Sequence, residues 1–291
     1  MLGLKRGTVQ LYEHEKEWEL EAQKTIICLR QILGNIIKDI QHVGSTSIVS
    51  IKAKPIIDIA LAVDDFNDIL HFETKLREHG FYYRPNVSIE NQLLFACGSF
   101  YDGTGDLQTH FIHVVRTNSM DWIHYINFRN YLNNTPSAAK EYEDLKVLLA
   151  SQNPADSGRS YYLKGKHDFI VRTLRKALFQ SYLGKTVHLQ INRPIKSLHP
   201  IHKNLIYPIN CGYIPNVFCD DGKEIQVYLL GVDTPLTEYT AHIIGIVHHS
   251  KDIPDMLIAA PEKIHFTKEE IEKRIYFQEQ FYTYHIELIP S

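Results

Sequence analysis

Residues 42–58 read HVGSTSIVSIKAKPIID, a glycine–serine turn followed by a short apolar run that contains an aspartate. Glycine at position 44 lets backbone N–H groups approach a bound phosphate, and the Ser45 hydroxyl adds a further donor. The β-branched run over 55–63 is typical of a buried strand, which places Asp58 inside that strand. A carboxylate beside such a turn can hold a divalent metal that bridges phosphates. The pattern therefore predicts a phosphate-binding site built on one turn and one strand.

The segments around this stretch indicate a mixture of helices and strands. Apolar residues at helical spacing predict an amphipathic helix over 13–33, which Gly34 would end. Two strands, 91–100 and 107–116, flank a turn-forming sequence. Thr135 before Pro136 is typical of a helix start with an N-cap, and the last helix of this half is predicted over 166–180.

After residue 180 the sequence changes to a β-rich pattern. Short alternating or apolar runs predict strands at 186–191, 225–230 and 241–248, separated by repeated prolines. One late helix is predicted to begin at Thr267, whose hydroxyl forms a capping box with Glu270, and its apolar stripe would be Ile271, Ile275 and Phe281. The 291 residues are therefore expected to form two different domains, 1–180 and 184–291, joined near residues 181–185.

Composition and charge restrict the class of protein. Apolar residues make up 44% of the chain and charged residues 22%, which excludes a disordered, collagen-like or coiled-coil chain. The net charge of −3 provides no basic surface for DNA, while RNA with a few local contacts stays open. The sequence shows neither the apolar core of a signal peptide nor a membrane-spanning run, and the cysteines at 28, 97, 211 and 219 have no zinc spacing. A cytoplasmic protein with reduced thiols and no membrane contact is expected.

The stretch from His42 to Asp58 resembles the glycine–serine signature of the nucleotidyltransferase superfamily, and its surroundings resemble the GrpB family in particular. The likeness continues through THFIHVV at 109–115, NFRNYL at 127–132 and Tyr162 with Lys166, covering about residues 8–180. It implies a nucleotidyltransferase-like mixed sheet with helices, and a pocket that binds a nucleoside triphosphate or another phosphorylated small molecule. Asp58 would be the catalytic residue and would hold Mg²⁺. The other residues that the family pattern brings to this pocket are His42, Gly44, Ser45, Thr46, Lys54, His113, Arg129, Tyr162 and Lys166.

The match departs from the superfamily at one position. Nucleotidyltransferases use Asp-x-Asp, because alternate residues of a strand point to the same side. Here Ala60 occupies the second position, so a two-metal site would need a carboxylate from elsewhere, such as Asp106 or Glu90. Alternatives also stay open for the basic residues: His113 fits a core histidine, and Arg129 and Lys166 fit helix caps or surface ion pairs.

A second motif, YPINCGYIP at 207–215 followed by DGKEIQV at 221–227, resembles the family I soluble inorganic pyrophosphatases over about residues 184–288. The resemblance implies a small, five-stranded, OB-like barrel of pyrophosphatase type with a C-terminal helix, so that the whole chain is of the α+β class. It implies that Asp221 and Asp255 are metal ligands. The residues that it implies for binding an anion, diphosphate included, are Arg193, Lys203, Tyr213 and Lys223.

The pyrophosphatase-like motif has lost most of its acidic residues. Three carboxylate positions of that family align with Asp221, Lys223 and Gln226, of which only the first is acidic. The loss removes the main reason for a metal cluster to assemble and predicts impaired hydrolysis. Anion binding, a purely structural or partner-binding barrel and weak Mg²⁺-dependent hydrolysis stay open for this half.

Nucleotidyl transfer releases diphosphate, so the two resemblances share a theme. The first hypothesis is a nucleotidyltransferase with an accessory, hydrolysis-impaired domain. The second is a nucleotide- or phosphate-binding sensor without catalysis, and the third is a weak pyrophosphatase.

Overall fold

A computed structural model describes residues 1–152, 159–199, 205–219, 222–250 and 253–289. For residues 159 and 160 the description covers the backbone. The chain divides into two compact units, Met1–Leu174 and Arg175–Ser291. The division falls within the helix His167–Gln180, several residues before the join expected near 181–185. In the described parts of the chain we find no helix that is long and apolar enough to cross a membrane.

The first unit contains a mixed β-sheet, with both parallel and antiparallel strand pairs, and helices that flank it. Its strands are β1 (Leu4–Lys5), β2 (Asp39–Val43), β3 (Ile57–Val63), β4 (Tyr82–Tyr83), β5 (Gln92–Cys97), β6 (Leu107–Gln108) and β7 (His110–Arg116). Its helices are α1 (Lys16–Leu33), α2 (Phe66–Leu70), α3 (Glu73–Glu78), α4 (Ser99–Asp102), α5 (Met120–Asn134), α6 (Pro136–Ser151), α7 (Arg159–Gly165) and α8 (His167–Gln180), the last of which continues into the second unit.

The main sheet of this unit has the strand order β2-β3-β7-β5-β4, with β3 parallel to β7 and the other neighbours antiparallel. Side chains alternate between its two faces. Ile57, Ile59 and Leu61 point to one face and pack against the buried side of α1, in which Trp18 and Leu29 are almost fully enclosed. This face is largely apolar, with His110 of β7, the register partner of Ile57, as a polar exception.

The opposite face of the sheet carries Asp58 and, in the parallel register with β3, His113. Helices α5 and α6 and the beginning of α8 form a second core beside it, built around the stacked rings of Tyr142 and Phe169. Ile48 and Ile51, from the segment after the glycine–serine turn, are buried in the same core. The turn and the helices are thus held together next to Asp58.

Most local predictions for this unit are confirmed. The helix predicted over 13–33 is α1, and the backbone N–H of Gly34 bonds to the Arg30 carbonyl at its end. The strands predicted over 91–100 and 107–116 pair as β5 and β7, although α4 and β6 occupy parts of those ranges. Helix α6 begins at Pro136 as expected, but Thr135 makes no side-chain cap, so the N-cap hydrogen bond predicted for it is wrong.

The second unit contains a closed barrel and one helix. Its elements are β8 (Thr186–Arg193), β9 (Asn210–Phe218), β10 (Glu224–Leu229), β11 (Glu238–His249), β12 (Met256–Ala260), α9 (Lys268–Glu279) and β13 (Tyr284–Leu288). Five strands close a ring in the order β8-β9-β10-β12-β11, with β11 returning to β8, and β10 and β12 are parallel. The predicted five-stranded barrel with a C-terminal helix is confirmed, and β13 adds a further strand.

The long strand β11 explains how the extra strand fits. Its first half pairs with β8, and its second half, from Gly245 onwards, pairs with β13.

The capping box predicted at Thr267 is present, since the Thr267 hydroxyl and the Glu270 carboxylate each bond to the other residue's backbone N–H. Ile271 and Ile275 are buried as expected. Phe281 lies beyond the end of α9 with 66% of its surface exposed, so its assignment to the apolar stripe of the helix is wrong.

Candidate functional site

The glycine–serine turn packs directly on the Asp58 carboxylate. Gly44 has a φ of 70°, in the region that favours glycine, and a Cβ at this position would lie 2.7 Å from the Asp58 Cβ. Residues Ser45–Ser47 continue as a single 3-10 turn, which the Ser47 hydroxyl stabilises by donating to the Gly44 carbonyl at 2.6 Å. Only glycine therefore allows the turn to approach this carboxylate so closely.

A chain of hydrogen bonds holds His113 against Asp58. The Tyr125 hydroxyl donates to Gln92 Oε1 at 2.9 Å, and Gln92 Nε2 lies 3.2 Å from His113 Nδ1. His113 Nε2 lies 3.1 Å from Asp58 Oδ1. Because the amide nitrogen of Gln92 can only donate, Nδ1 accepts and the proton of a neutral His113 sits on Nε2, aimed at the carboxylate. His113 is thus part of the Asp58 site rather than a core histidine, and one Asp58 oxygen is engaged.

His42 and Thr46 form the inner framework of the turn. Thr46 is fully buried, its hydroxyl lies 2.9 Å from His42 Nε2, and it donates to the Ile56 carbonyl at 3.4 Å. Burial lowers the pKa of His42 to about 4, against the opposing effect of Asp58. In the β2–β3 register His42 lies opposite Ile59, on the face of α1, so its ring is on the other side of the sheet from Asp58.

Arg129 on α5 ties that helix to the turn. Its guanidinium NH1 donates to the His42 carbonyl at 2.9 Å, and its other nitrogens bond to Asn130 Oδ1. A cavity of about 390 Å³ opens here, lined by His42, Ser47, Arg129, Asn133 and residues Glu19, Leu20 and Gln23 of α1. The guanidinium is therefore placed at the rim of a cavity next to the glycine–serine turn.

Three lysines gather around two tyrosine rings on the helical side of the site. The ammonium groups of Lys54 and Lys166 lie 4.2 and 4.6 Å from the centre of the Tyr162 ring. Lys146, from α6, lies 4.7 Å from the centre of the Tyr142 ring. Burial, and after it the Asp58 charge, raise the pKa of the Tyr142 hydroxyl. Cation–π contacts help to hold the ammonium groups in place.

The donor set limits the kind of metal site that this region can form. Mg²⁺ prefers oxygen ligands and is commonly held by one or two carboxylates with phosphate and water oxygens. Asp58 supplies one carboxylate, whereas Asp106, a candidate for a second, pairs with Lys5 at 3.7 Å. Over the described ranges of the chain, no three His, Cys, Asp or Glu side chains come together in a metal-binding group. The residues fit a single Mg²⁺ shared with a phosphate ligand and do not fit a two-metal centre.

A family model described as GrpB protein matches residues 8–176, more than half of the chain. The chain belongs to the GrpB family. The curated glutamate-rich protein GrpB of Alkalihalophilus pseudofirmus is 38% identical over 177 residues, which are 60% of this chain and 99% of that protein. The crystal structure of GrpB from Enterococcus faecalis shares 25% identity with a TM-score of 0.54, covering 60% of this chain and 99% of that one. The first unit thus has the GrpB fold along nearly its full length.

The GrpB match stops before the barrel, and solved inorganic pyrophosphatases match there. The enzyme from Neisseria gonorrhoeae is 19% identical, with 32% of this chain and 72% of that chain covered and a TM-score of 0.27. The name inorganic pyrophosphatase refers to the Neisseria protein.

The barrel residues expected to bind an anion or a metal are only partly described. Lys203 and Asp221 lie outside the described residues. Arg193 ends β8 and lies opposite Cys211, while Tyr213 on β9 pairs with both Gln190 and Gln226. Lys223 stands just before β10, where its carbonyl accepts from the Cys219 N–H at 2.7 Å. Arg193 and Tyr213 are therefore on the same pair of strands, and their role as anion ligands stays a prediction.

Asp255, the other metal ligand suggested for the barrel, is 8% exposed and already bonded within the chain. Its carboxylate lies 2.8 Å from His248 Nδ1 and accepts from the His249 N–H at 3.0 Å. His249 Nε2 in turn lies 2.7 Å from the fully buried Glu279, which also bonds to the Tyr228 hydroxyl. Both Asp255 oxygens thus serve a buried network that joins β11 to β10 and α9.

Several residues of these two sites were not predicted from the sequence. Lys146 lies four positions after Tyr142, on the apolar side of α6, and this spacing was the available signal. Gln92 and Tyr125 carry no such signal in the sequence. Their hydrogen bonds towards His113 depend on β5 and α5 both packing next to β7. The sequence predicts a strand that ends at His248 and assigns no role to His248 or His249.

Proposed function

We propose that the GrpB unit of this chain binds a nucleoside triphosphate and transfers its nucleotidyl group to an acceptor, with release of diphosphate. The observation that carries the proposal is the packing of the Gly44 turn on the Asp58 carboxylate. Turns of this kind present N–H groups to phosphate oxygens, and the adjacent carboxylate is the oxygen ligand that a phosphate-bound Mg²⁺ needs.

Each residue of the site then has a defined task. The backbone of Gly44 and Ser45 would face the phosphates, since the Thr46 hydroxyl is turned inward to Ile56. Asp58 would hold Mg²⁺, which supplies Lewis-acid stabilisation of the phosphate charge when bound. His113 keeps the Asp58 carboxylate in one orientation through its Nε2 proton.

The basic groups around Tyr162 would balance the triphosphate charge. Lys54 and Lys166 lie 4.2 and 4.6 Å from the centre of the same ring, which brings two positive charges together. Arg129 adds a third cation at the cavity rim. In the transfer an acceptor oxygen would bond to the α-phosphorus, the bond from that phosphorus to the bridging oxygen would break, and the acceptor proton would pass to solvent or a base.

One observation favours a second candidate, nucleotide binding without transfer. Asp58 is a single carboxylate, and one of its oxygens already faces His113. A site of this kind can hold a metal–nucleotide complex but gives weaker stabilisation of the leaving diphosphate than a two-metal clamp. The same binding residues serve both candidates, so the presence of labelled product distinguishes them.

The first test is the shift in melting temperature of the full chain with ATP, GTP, CTP, UTP or diphosphate, each with and without Mg²⁺. A ligand that binds only the folded protein raises the midpoint. Asp58→Asn should remove the Mg²⁺-dependent part of the shift, whereas Asp68→Asn, at an exposed position on α2, should keep it. No shift with any nucleotide would contradict both candidates.

The second test separates transfer from binding. The full chain and its Asp58→Asn variant are incubated with α-labelled nucleotide, Mg²⁺ and a cell extract. Label that becomes attached to an acceptor only with the unsubstituted protein supports transfer. Binding without any labelled product would leave the sensor function.

A further inference from the structure

Lys146 is a buried lysine inside the proposed nucleotide site. It is 1% exposed, although the free energy of a charged ammonium is much lower in water than in a protein interior. Its Nζ donates to the backbone carbonyl of Lys52 and lies over the face of the Tyr142 ring. The carbonyl and the ring satisfy the amino group in either protonation state, but neither carries a full negative charge.

The charged groups that face Lys146 are mostly of its own sign. Lys54 and Lys166, on the neighbouring Tyr162 ring, repel a proton on Lys146, and Glu143 attracts it. The Glu143 carboxylate is shared, because it accepts from the Lys52 N–H at 2.7 Å and from Lys140 Nζ at 3.1 Å. Burial first, and then the charges of Lys166 and Lys54, lower the pKa of Lys146 to about 7.

We propose that Lys146 takes up a proton from solvent when a polyphosphate binds at Lys54 and Lys166, so that the site prefers highly charged phosphate ligands and binds them more tightly at lower pH. This inference rests on the proposed nucleotide site. The bound anion offsets the charges of Lys54 and Lys166, and their repulsion of a proton on Lys146 is reduced. Lys146 itself does not touch the ligand, and acts through the electrostatic potential of the site.

The sign of the pH dependence follows from this coupling. Below pH 7 Lys146 is protonated with and without ligand, so affinity does not change with its titration. As the pH rises through 7 the free protein progressively loses the proton and must regain it on binding, so affinity falls. At pH 7.5 complete protonation in the complex corresponds to uptake of about three-quarters of a proton.

The test is isothermal titration calorimetry of the full chain with ATP in excess Mg²⁺ at pH 7.5, in HEPES and in Tris. The slope of the observed enthalpy against the ionisation enthalpy of the buffer is the number of protons taken up. We expect a slope of about 0.75 for the unsubstituted chain and near zero for Lys146→Met and Lys146→Arg, because methionine has no proton to gain and arginine is always charged. Lys75→Met, at an exposed position on α3, should keep the full slope.

The pH dependence of ATP affinity gives a second measurement, which does not depend on the Lys146→Met variant being folded. Lys146→Arg should bind ATP with little change between pH 7 and 9, whereas the unsubstituted chain should lose about fivefold in affinity between pH 7 and 8 and about tenfold per pH unit beyond that. Equal slopes in the unsubstituted and Lys146→Met proteins would overturn the role of Lys146 and leave the nucleotide site intact. Absence of any ATP binding would overturn the nucleotide site as well. If neither variant folds, the ¹³Cε shift of Lys146 in the unsubstituted chain must move to its charged value on ATP addition at pH 7.5, and a static shift would reject the proposal.

Discussion

His113 Nε2 lies 3.1 Å from Asp58 Oδ1, although the two residues are 55 positions apart in the sequence. The parallel pairing of β3 with β7 places His113 opposite Ala60, one alternate residue along from Asp58 on the same face of the sheet. Ala60 stands where a nucleotidyltransferase would have a second aspartate. The site therefore has an imidazole beside its single carboxylate, held there by Gln92 and Tyr125.

The orientation of His113 can be checked directly. We expect the unsubstituted protein to hold His113 as the Nε2–H tautomer, visible in its ¹⁵N chemical shifts. Tyr125→Phe removes the donor that fixes Gln92 and should release this tautomer while costing about 1 kcal/mol of unfolding free energy. Tyr276→Phe, at an exposed position of α9, should change neither. An Nδ1–H tautomer in the unsubstituted protein would contradict the hydrogen-bond chain.

The close approach of the turn to Asp58 predicts the cost of a methyl group at position 44. Gly44→Ala combines a positive φ of 70° with a Cβ 2.7 Å from that of Asp58, and Gly80→Ala has a φ of 83° with open space around the new Cβ. Gly80→Ala should carry backbone strain of about 1 kcal/mol, whereas Gly44→Ala, with a ψ of −171° that only glycine adopts readily and with the contact to Asp58, should lose about 1–3 kcal/mol more in urea denaturation. Gly44→Ala should also lose its nucleotide-dependent melting shift. Equal stability of the two variants would show that the turn does not press on Asp58.

Burial of His42 predicts a loss of stability at mildly acidic pH. Its folded-state pKa is about 4 against an ordinary value of 6.5, so its contribution is complete above pH 6.5 and is lost as the pH falls towards 4. The difference corresponds to about 3 kcal/mol of unfolding free energy. His42→Gln should flatten the decline measured by urea denaturation between pH 7 and 4.5, while His71→Gln, at an exposed position, should not. A decline of the same size in both variants would refute the assignment to His42.

The barrel should not hydrolyse diphosphate at the rate of an ordinary pyrophosphatase. Two of three aligned carboxylate positions are Lys223 and Gln226, and both oxygens of Asp255 are bonded to His248 and His249. Phosphate release with Mg²⁺ should therefore stay near background, and the double substitution Lys223→Asp with Gln226→Asp should raise it. Rapid release by the unsubstituted chain would contradict the loss of the metal cluster.

Local signals account for the elements that were predicted correctly. Helix α1 has a clear apolar stripe and a terminal glycine, and the Thr267–Glu270 capping box lies within a single turn. Helix α5 was not predicted. Leu132 is its one buried residue, and its aromatic side chains are half-buried around the helix. A helix without a stripe has no periodic signal in the sequence.

The amino-acid sequence by itself determined the turn, the strand and the position of Asp58, since the conformational freedom of glycine and the period of two in a strand depend only on neighbouring residues. It also determined that the pyrophosphatase-like motif is poor in acids. The tertiary structure alone decided that His113 meets Asp58, that His42 lies on the opposite face, and that Lys146 is buried beside Lys54 and Lys166. These relations depend on which strands pair and how helices cover them, and that choice is made by burial summed over the whole unit rather than by any local pattern.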